Sequence, residues 1–181
     1  MTLIQATNFI FSAFTVFAQI FLLAFVLLLI FMRAKAKVFF AFLGRHRVPF
    51  GFLVSLGVLL GSLWYSEIVG FPPCELCWLQ RIFFYPQTVI FGVALLKKDN
   101  GVTDYGIALS AIGALIAGYQ SLLQWGLISS SFCATSEVAI SCSKRLVFEL
   151  GYITIPLMSL TAFLLIIALM FSERIAVRED I

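Results

Sequence analysis

All four cysteines of this 181-residue chain lie in two short segments between long apolar runs. The first segment contains Cys74-Glu-Leu-Cys77, and the second contains Cys133 and Cys142 with eight residues between them. Cysteines three residues apart lie on one face of a helical turn, within reach of a disulfide. Two dithiol pairs held at a membrane surface are suited to passing electron pairs between thiols and disulfides. The cysteine pattern therefore favours redox chemistry.

Three kinds of site fit the C-x-x-C pair: half of a zinc site, a structural disulfide and a redox-active pair. A zinc site normally uses a second, compactly spaced pair, whereas Cys133 and Cys142 lie in another segment with wider spacing. A structural disulfide between residues three apart closes so small a loop that it constrains little of the unfolded chain. We favour the redox-active pair and expect no bound metal.

Arg81 follows Cys77 by four residues and therefore lies on the same helical face. Near the start of a helix, Cys77 would also feel the positive end of the helix dipole, which favours a thiolate. A charge at the edge of the hydrocarbon core is costly, and two interpretations of Arg81 stay open. It is either an anchor that extends outward to the membrane surface, or a fixed cation that stabilises a thiolate and a reduced acceptor.

Serine-rich sequence surrounds the second cysteine pair, with three serines at 129–131 just ahead of Cys133. This turn-forming composition predicts a mobile loop, in which an exposed disulfide is open to attack by an incoming thiolate. Lys144 and Arg145 either favour a thiolate at Cys142 or only solvate the loop, and we favour solvation. An even number of cysteines outside the cytoplasm is compatible with two disulfides in the resting protein.

Composition indicates that lipid surrounds much of the chain. The sequence is 62% hydrophobic and 12% charged, with a mean hydropathy of +1.07. A soluble domain of this size could not bury so much apolar surface, because burial is limited by the ratio of surface to volume. The net charge of +3 gives no indication of a nucleic-acid partner. Without internal repeats or flexible linkers, we expect one integral membrane domain over residues 1–181.

Five apolar runs are long enough to cross a bilayer as helices. Their approximate bounds are Asn8 to Met32, Pro49 to Ser66, Trp78 to Leu96, Tyr105 to Ile128 and Leu150 to Phe171. These runs are too long for strands and lack alternation, and an open sheet edge is not stable in lipid. We therefore predict an all-α membrane protein.

The distribution of Lys and Arg predicts how the spans are oriented, because cytoplasmic loops carry an excess of positive charge. Nine of the 12 basic residues fall on one side of the predicted spans. They are Arg33, Lys35, Lys37, Arg45, Arg47, Lys97, Lys98, Arg174 and Arg178. We expect that side, with the C-terminus, to be cytoplasmic, and the N-terminus and both cysteine loops to be extracytoplasmic. The reverse orientation would put most of the positive charge outside.

The N-terminal region leaves two alternatives open. Ala34-Lys35-Ala36 loosely resembles a cleavage site, so the first span is either a retained helix or a signal peptide. A retained helix is favoured, because the span lacks a basic N-terminal region and its apolar stretch is too long. The segment from Lys35 to Arg47 mixes bases with phenylalanines, and it either lies along the inner membrane surface or is an ordinary basic loop.

Four longer strings of residues now carry a resemblance. They are GSLWYSEI from Gly61, PCELCWLQRI from Pro73, YP from Tyr85 and GYITIPL from Gly151. Together they resemble the DsbB/BdbC family of disulfide bond formation proteins, nearest its short-looped BdbC branch, over about Phe50 to Phe171. The resemblance implies a four-helix transmembrane bundle at about 49–172. An additional N-terminal span and basic cytoplasmic loop would precede it at 1–48, and a cytoplasmic tail would follow at 173–181.

The resemblance also implies an activity. Members of this family reoxidise a soluble thioredoxin-fold thiol oxidase of the DsbA or BdbD type, and they pass the electrons to membrane quinone, either ubiquinone or menaquinone. The implied location is the cytoplasmic (inner) membrane of a bacterium. A quinone acceptor also agrees with the residues themselves, since the sequence contains no haem, iron–sulfur or nucleotide motif.

Residue roles follow from the same resemblance. Cys74 and Cys77 match the quinone-linked pair, with Cys77 nearest the quinone ring, and Arg81 matches the arginine that assists the quinone. Cys133 and Cys142 match the partner-facing pair, and Cys133 would form the mixed disulfide with the partner.

Two departures from the family pattern stand out. The first span is additional to the four-helix family, and its role is unassigned. Some members carry a histidine near the outer end of the helix before the second pair, and in this sequence we place Gln120 at that position. The chain's only histidine, His46, lies in the basic segment, and we assign it no catalytic role.

Two other functions are weighed against this one. A vitamin K epoxide reductase-like protein uses similar chemistry on a helix bundle, but its active C-x-x-C usually follows the other loop cysteines. Here the C-x-x-C comes first, which argues against that class. A non-enzymatic membrane subunit with two static disulfides would also account for four cysteines.

Overall fold

The computed structural model describes residues 3–32, 36–128, 142 and 144–178, and their regular elements are helices. The helices are α1 (Leu3–Phe31), α2 (Lys37–Arg45), α3 (Arg47–Leu63), α4 (Glu75–Lys97), α5 (Thr103–Gln124) and α6 (Ile155–Arg178). A π-helical turn, Trp64–Ile68, continues α3. Five of the helices, all except the short α2, are long and apolar enough to cross a membrane. The predicted all-α membrane fold with five spans is confirmed.

Most helix limits differ from the predicted span limits by a few residues. In two places the predicted span extends four or five residues past the end of its helix, and turn chemistry explains both. α5 ends at Gln124 instead of Ile128, because Gly126 has a φ of 75° and the chain closes with hydrogen bonds typical of a Schellman motif. α6 begins at Ile155 instead of Leu150. Leu150 and the glycine after it both have positive φ, and they form a tight turn ahead of the helix.

The basic segment after α1 contains a helix and is not only a connecting loop. On α2, Phe40 and Leu43 are buried against α1 and α6. The ring of Phe40 meets the ring of Phe25 on α1 edge-on, with the centroids 5.3 Å apart. α2 therefore helps to hold α1 against α6.

The remaining four spans pack around a core of large apolar side chains. Phe84 on α4 and Phe163 on α6 stack with ring centroids 3.8 Å apart, and Phe91 and Met170 extend the same cluster. Gly113 on α5 lies directly against the Phe163 ring, where any side chain would clash. Small residues at such crossings let transmembrane helices approach closely, since packing and polar contacts drive their association in lipid.

Contacts between helix termini define the two ends of the bundle. At one end, which we call the charged end, Arg47 at the start of α3 binds Thr103 at the start of α5 and Glu173 near the end of α6. At the opposite end, which we call the cysteine end, Cys74 and Cys142 share one buried cluster. Both cysteine segments therefore reach the same end of the bundle, as the predicted orientation requires.

Candidate functional site

The first cysteine pair lies at the start of α4. Pro72 and Pro73 lead into Cys74, which has extended backbone angles (φ −75°, ψ 172°) and caps the helix without a side-chain capping bond. Its thiol instead points to Cys77 and donates a hydrogen bond of 3.1 Å to the Cys77 Sγ. Both cysteines are free thiols. Cys74 is only 6% exposed, while Cys77 is partly exposed.

A glutamine on α5 binds both sulfur atoms. The Nε2 atom of Gln120 lies 3.1 Å from the Cys74 Sγ and 3.5 Å from the Cys77 Sγ. Gln80, one turn after Cys77, donates a 2.7 Å hydrogen bond to Gln120 Oε1 and so directs the Nε2 group at the sulfurs. Gln120 is 1% exposed. Gln120 is therefore a fixed hydrogen-bond donor to the dithiol.

Protonation differs between the two sulfurs because their surroundings differ. The hydrogen bond to Cys77 raises the pKa of the Cys74 thiol above its ordinary value, and burial adds to the effect. Cys74 thus keeps the proton that it donates to its neighbour. Cys77 lies in the first turn of α4, where unpaired backbone N–H groups and the helix dipole favour negative charge.

Arg81 lies one turn after Cys77 and is 7% exposed. Its Nε and Nη2 atoms donate hydrogen bonds of 2.7 and 2.9 Å to the Oγ and carbonyl oxygen of Ser62 on α3. Its guanidinium also lies over the ring of Trp78, 5.0 Å from the centroid. Among the described residues no carboxylate pairs with Arg81, and its Nη1 atom has no hydrogen-bond partner. The charge of this buried arginine is thus not neutralised by the part of the chain described.

These groups line one end of a large apolar cavity with a volume of about 760 Å³. Cys77, Arg81 and Gln120 supply polar groups at the cysteine end. The rest of the lining comes mainly from apolar side chains of α1, α3 and α6. Cavities of this size and composition are typical of sites for apolar ligands that carry one polar group.

The second cysteine segment is partly described. Cys142 is disulfide-bonded and 2% exposed, and it packs in one cluster with Cys74. The sequence predicted an exposed disulfide in a mobile loop; Cys142 is instead buried, because it fits against Leu123 at the end of α5. Cys133, which is predicted to form the mixed disulfide with the partner, lies outside the described residues. The serines at 129–131 also lie outside them.

Two hydrogen bonds hold the chain after Cys142 against the end of α5. The Nε2 atom of Gln124 donates to the carbonyl oxygen of Lys144 over 3.3 Å, and Arg145 Nε donates to the Gln124 carbonyl oxygen over 2.7 Å. The Arg145 guanidinium also lies over the Phe148 ring. Arg145 therefore fixes this segment to α5, whereas its position in the sequence favoured a role in solvating the loop.

Several site residues were not predicted from the sequence. Gln80, Ser62 and Gln124 were given no role, although each positions a cysteine, Arg81 or the second cysteine segment. A signal was present, because uncharged polar side chains within apolar spans tend to face the interior of a bundle and to hydrogen-bond across helices. The presence of polar residues in apolar spans identifies these candidates, but it does not predict which of them form hydrogen bonds with each other.

Comparisons with known proteins show which family the chain resembles. The family model "Disulfide bond formation protein DsbB" matches residues 44–173. A probable disulfide formation protein of Deinococcus radiodurans is 40% identical over 74% of this chain and 94% of its own length. Disulfide bond formation protein C of Bacillus subtilis is 39% identical over 70% of this chain and 93% of its own.

A third relative, the SPbeta prophage-derived disulfide bond formation protein B of Bacillus subtilis, is 45% identical over 64% of this chain and 76% of its own length. No solved structure matches the chain. The matched region contains the first cysteine pair, Arg81, Gln120 and the second cysteine segment, and leaves α1 outside. This multi-pass membrane chain belongs to the DsbB family of disulfide bond formation proteins.

Proposed function

We propose that this protein reoxidises an extracytoplasmic thioredoxin-fold thiol oxidase, of the DsbA or BdbD kind, and passes the electrons to membrane quinone. One observation carries the proposal. A largely buried dithiol and a buried arginine, which has no carboxylate partner among the described residues, meet at the polar end of an apolar cavity in a membrane protein. A dithiol there can exchange with disulfides, and the arginine can stabilise negative charge that develops on an acceptor.

The residues of the cavity fit a quinone. The ring needs hydrogen-bond donors or a cation for its oxygens, and Arg81 supplies both at the cysteine end. The apolar remainder of the cavity suits the hydrocarbon tail, and a volume of about 760 Å³ accommodates a ligand of that class. A bound quinone would supply an acceptor for two electrons and two protons. Arg81 and Cys77 would face its ring.

The first step is exchange with the partner. A thiolate of the reduced partner attacks the disulfide of Cys133 and Cys142, forms a mixed disulfide at Cys133 and releases the Cys142 thiol. The partner's second thiol then breaks the mixed disulfide, which leaves the partner oxidised and this pair reduced. The Cys142 disulfide in the structure and the family membership of the chain support this assignment.

The second step is exchange between the two cysteine pairs. A thiolate of the second pair attacks the Cys74–Cys77 disulfide, and the other thiol resolves the intermediate, so that the second pair becomes a disulfide again. The burial of Cys142 and Cys74 in one apolar cluster supports this direct exchange. Thiol–disulfide exchange needs the sulfurs to meet, and burial limits competing reactions with solvent.

The third step returns the first pair to a disulfide. Cys77 holds negative charge in the first turn of α4, while Cys74 carries the proton. Arg81, one turn further on, stabilises charge as the electron pair leaves Cys77. Over one cycle the partner's dithiol loses two electrons and two protons, and the quinone gains both. A DsbA-like partner with a reduction potential of about −120 mV requires an acceptor that is at least as oxidising.

The proposed orientation places the cysteine end outside the cytoplasm. The charged end holds Arg47, Lys97 and Arg174, which belong to the predominantly basic side. Positive charge is concentrated in cytoplasmic segments of membrane proteins. On this orientation the cysteine segments meet the partner outside, and the C-terminus lies in the cytoplasm.

Anaerobic mixing of the purified protein, a reduced DsbA-like partner and quinone tests the proposal. We expect quinol to form at the same rate as the partner's disulfide, because each cycle moves one electron pair. Omitting the protein is the control. Partner oxidation without quinol, or no reaction with any quinone, would contradict the proposal.

Thiol trapping separates the proposal from a membrane subunit with static disulfides. Rapid acid quenching and alkylation during turnover should reveal mixed redox states of the two pairs and a covalent adduct with the partner. A static protein would stay in one redox state and form no adduct.

A further inference from the structure

The additional helix α1 forms one wall of the cavity that reaches Cys77 and Arg81. Six of its residues line the cavity. Four are aromatic and two are small, and they are Phe11, Phe14, Thr15, Phe17, Ala18 and Phe21. α1 lies outside the region matched by the family model, which begins at residue 44. This chain thus adds a wall to the cavity that the matched four-helix region does not supply.

Polar contacts fix α1 in place at the cysteine end. Tyr65 at the end of α3 donates a hydrogen bond of 3.1 Å to Asn8 Oδ1, and Asn8 donates one of 3.3 Å to Glu149. Further along α1, Gln19 accepts a 2.8 Å bond from Tyr152 and donates a 3.3 Å bond to Thr161 on α6. Hydrogen bonds between helices are specific contacts in lipid, where unpaired polar groups are costly. α1 is therefore docked in one register.

The polar residues of α1 follow one face of the helix. Thr7, Asn8, Ser12 and Thr15 are buried, and they recur at helical spacing on a helix that is mostly apolar. Phe9 on the opposite side is exposed. The buried stripe faces the bundle, so the arrangement is that of a helix packed on protein and not of an isolated anchor.

The cavity continues along α3 because α1 stands away from that helix. α1 packs mainly along α6, and its backbone makes few close approaches to α3. At Gly61 the ring of Phe11 fills the gap, since a Cβ there would lie 2.7 Å from the ring. One turn away, Gly57 faces open space. The cavity lining on α3 extends from Phe50 to Tyr65, about 22 Å at 1.5 Å per residue.

We propose that α1 closes this cavity around the isoprenoid tail of the quinone. The inference rests on the proposed function, since the polar end of the cavity is the site assigned to the quinone ring. The tail is a long, branched, uncharged chain, and the aromatic and aliphatic lining away from Cys77 and Arg81 matches that chemistry. α1 thereby gives the protein affinity for the tail in addition to the ring.

Photoaffinity labelling tests the contact without measuring activity. The probe is a long-tailed quinone with a diazirine on its tail, irradiated with the full-length protein in lipid nanodiscs and mapped by mass spectrometry. We expect adducts on residues 11–21 as well as on α3 and α6. Excess unlabelled long-tailed quinone should remove the α1 adducts. Adducts confined to α3 and α6, or α1 adducts removed only by added phospholipid, would overturn the proposal.

Matched variants on α1 test the energetic contribution. Ala18→Leu adds bulk inside the cavity, whereas Ala13→Leu adds the same bulk at an exposed position of the same helix that does not line it. We expect Ala18→Leu to raise the KM for a long-tailed quinone relative to that for a tail-less one. The ratio should change about tenfold, equivalent to about 1.4 kcal/mol of lost tail burial. An unchanged ratio, or an equal change in Ala13→Leu, would overturn the proposal.

A second pair of variants covers the case that α1 does not tolerate the substitution. Gly57→Leu fills the cavity from α3 at a position where a new Cβ meets no atom within 4 Å. Gly118→Leu on α5 is the control, since it has equally open space but does not line the cavity. The α3 variant should raise the same KM ratio and weaken the α1 adducts. If Gly57→Leu changes neither the KM ratio nor the yield of α1 adducts, the tail does not lie along α1.

Failure of this inference is distinguishable from failure of the proposed function. If the wild-type protein reduces neither tail-less nor long-tailed quinone, the proposed function fails. If it reduces both with the same KM and α1 is not labelled, the function stands and the role of α1 in tail binding is wrong.

Discussion

Two arginines are buried in the part of the chain that the structure describes, near opposite ends of the bundle, and their partners differ. Arg47 at the charged end is 4% exposed, and all three of its guanidinium nitrogens have partners, including the Glu173 carboxylate at 2.7 Å. Arg81 at the cysteine end is about as buried, but its polar partners are the hydroxyl and carbonyl oxygens of Ser62. Arg47 is therefore neutralised and fully hydrogen-bonded, whereas the described partners of Arg81 hold it in position without neutralising its charge.

The difference fits the proposed roles, in which Arg47 is structural and Arg81 is functional. Removing water from a charge is costly, and a carboxylate with good hydrogen bonds offsets that cost, as at Arg47. No described carboxylate neutralises Arg81, which lies beside a dithiol and an apolar cavity. Such a buried charge is unfavourable unless a negatively charged group binds next to it. Of the two interpretations of Arg81, this surrounding favours the fixed cation over an outward-extending anchor.

Cys77→Ser would have the largest effect at the cysteine end. Cys77 is proposed as the sulfur from which the electron pair leaves, so all quinone-linked turnover should be lost. Exchange of the partner with the second pair should continue, and a partner adduct trapped by acid quenching is the control for folding. Quinol formation by this variant, measured from ultraviolet absorbance, would refute the order of the relay.

Arg47→Met should have the largest effect on stability. Breaking a buried ion pair costs about 3–5 kcal/mol, and we expect about 3 kcal/mol because Glu173 is partly solvated. Denaturant unfolding in mixed micelles measures the loss. The quinone KM of the folded fraction should not change. A large change in KM with unaltered stability would reverse the distinction between the two arginines.

Arg81→Met should give the opposite pattern. We expect little loss of stability and a rise of about 10- to 100-fold in the quinone KM, equivalent to about 1.5–3 kcal/mol for a hydrogen bond to a charged group. Arg81→Lys should recover part of the affinity, since it keeps the charge but not the planar fork. Unchanged kinetics in Arg81→Met would return this residue to the role of an anchor.

Gln120→Leu should have a smaller effect on the same site. Loss of the hydrogen bonds to both sulfurs removes a contact that stabilises the reduced pair. The reduction potential of Cys74–Cys77 should fall by about 30 mV if about 1.4 kcal/mol is lost. Gln87→Leu is the matched control, since Gln87 is also buried but bonds Ser110 away from the cysteines. Equal potentials in the two variants would leave Gln120 without influence on the pair.

Much of the fold could be predicted from the sequence, because lipid imposes strict rules. Long uncharged runs must be helices, and the distribution of bases predicts which termini share an end. Helix limits were less accurate. The tight turn at Leu150 and Gly151 depends on backbone angles that hydrophobicity does not encode.

The candidate site could be predicted only in part. The spacing of Cys74, Cys77 and Arg81 along one helix specifies a shared face, so their proximity follows from local geometry. The contacts of Gln120 with both sulfurs and of Ser62 with Arg81 join different helices. They depend on how the helices pack, which a hydrophobic pattern does not determine. The burial of Cys142 was missed for the same reason.

A single-turnover reaction tests the central claim most directly. The protein alone is reduced, freed of reductant and mixed anaerobically with quinone, and both quinol and the redox state of each cysteine are measured. The account predicts rapid quinol formation coupled to appearance of a Cys74–Cys77 disulfide, and slow formation at the same quinone concentration in Arg81→Met. Quinol formation without that disulfide, or a persistent Cys74–Cys77 dithiol with excess quinone, would contradict it.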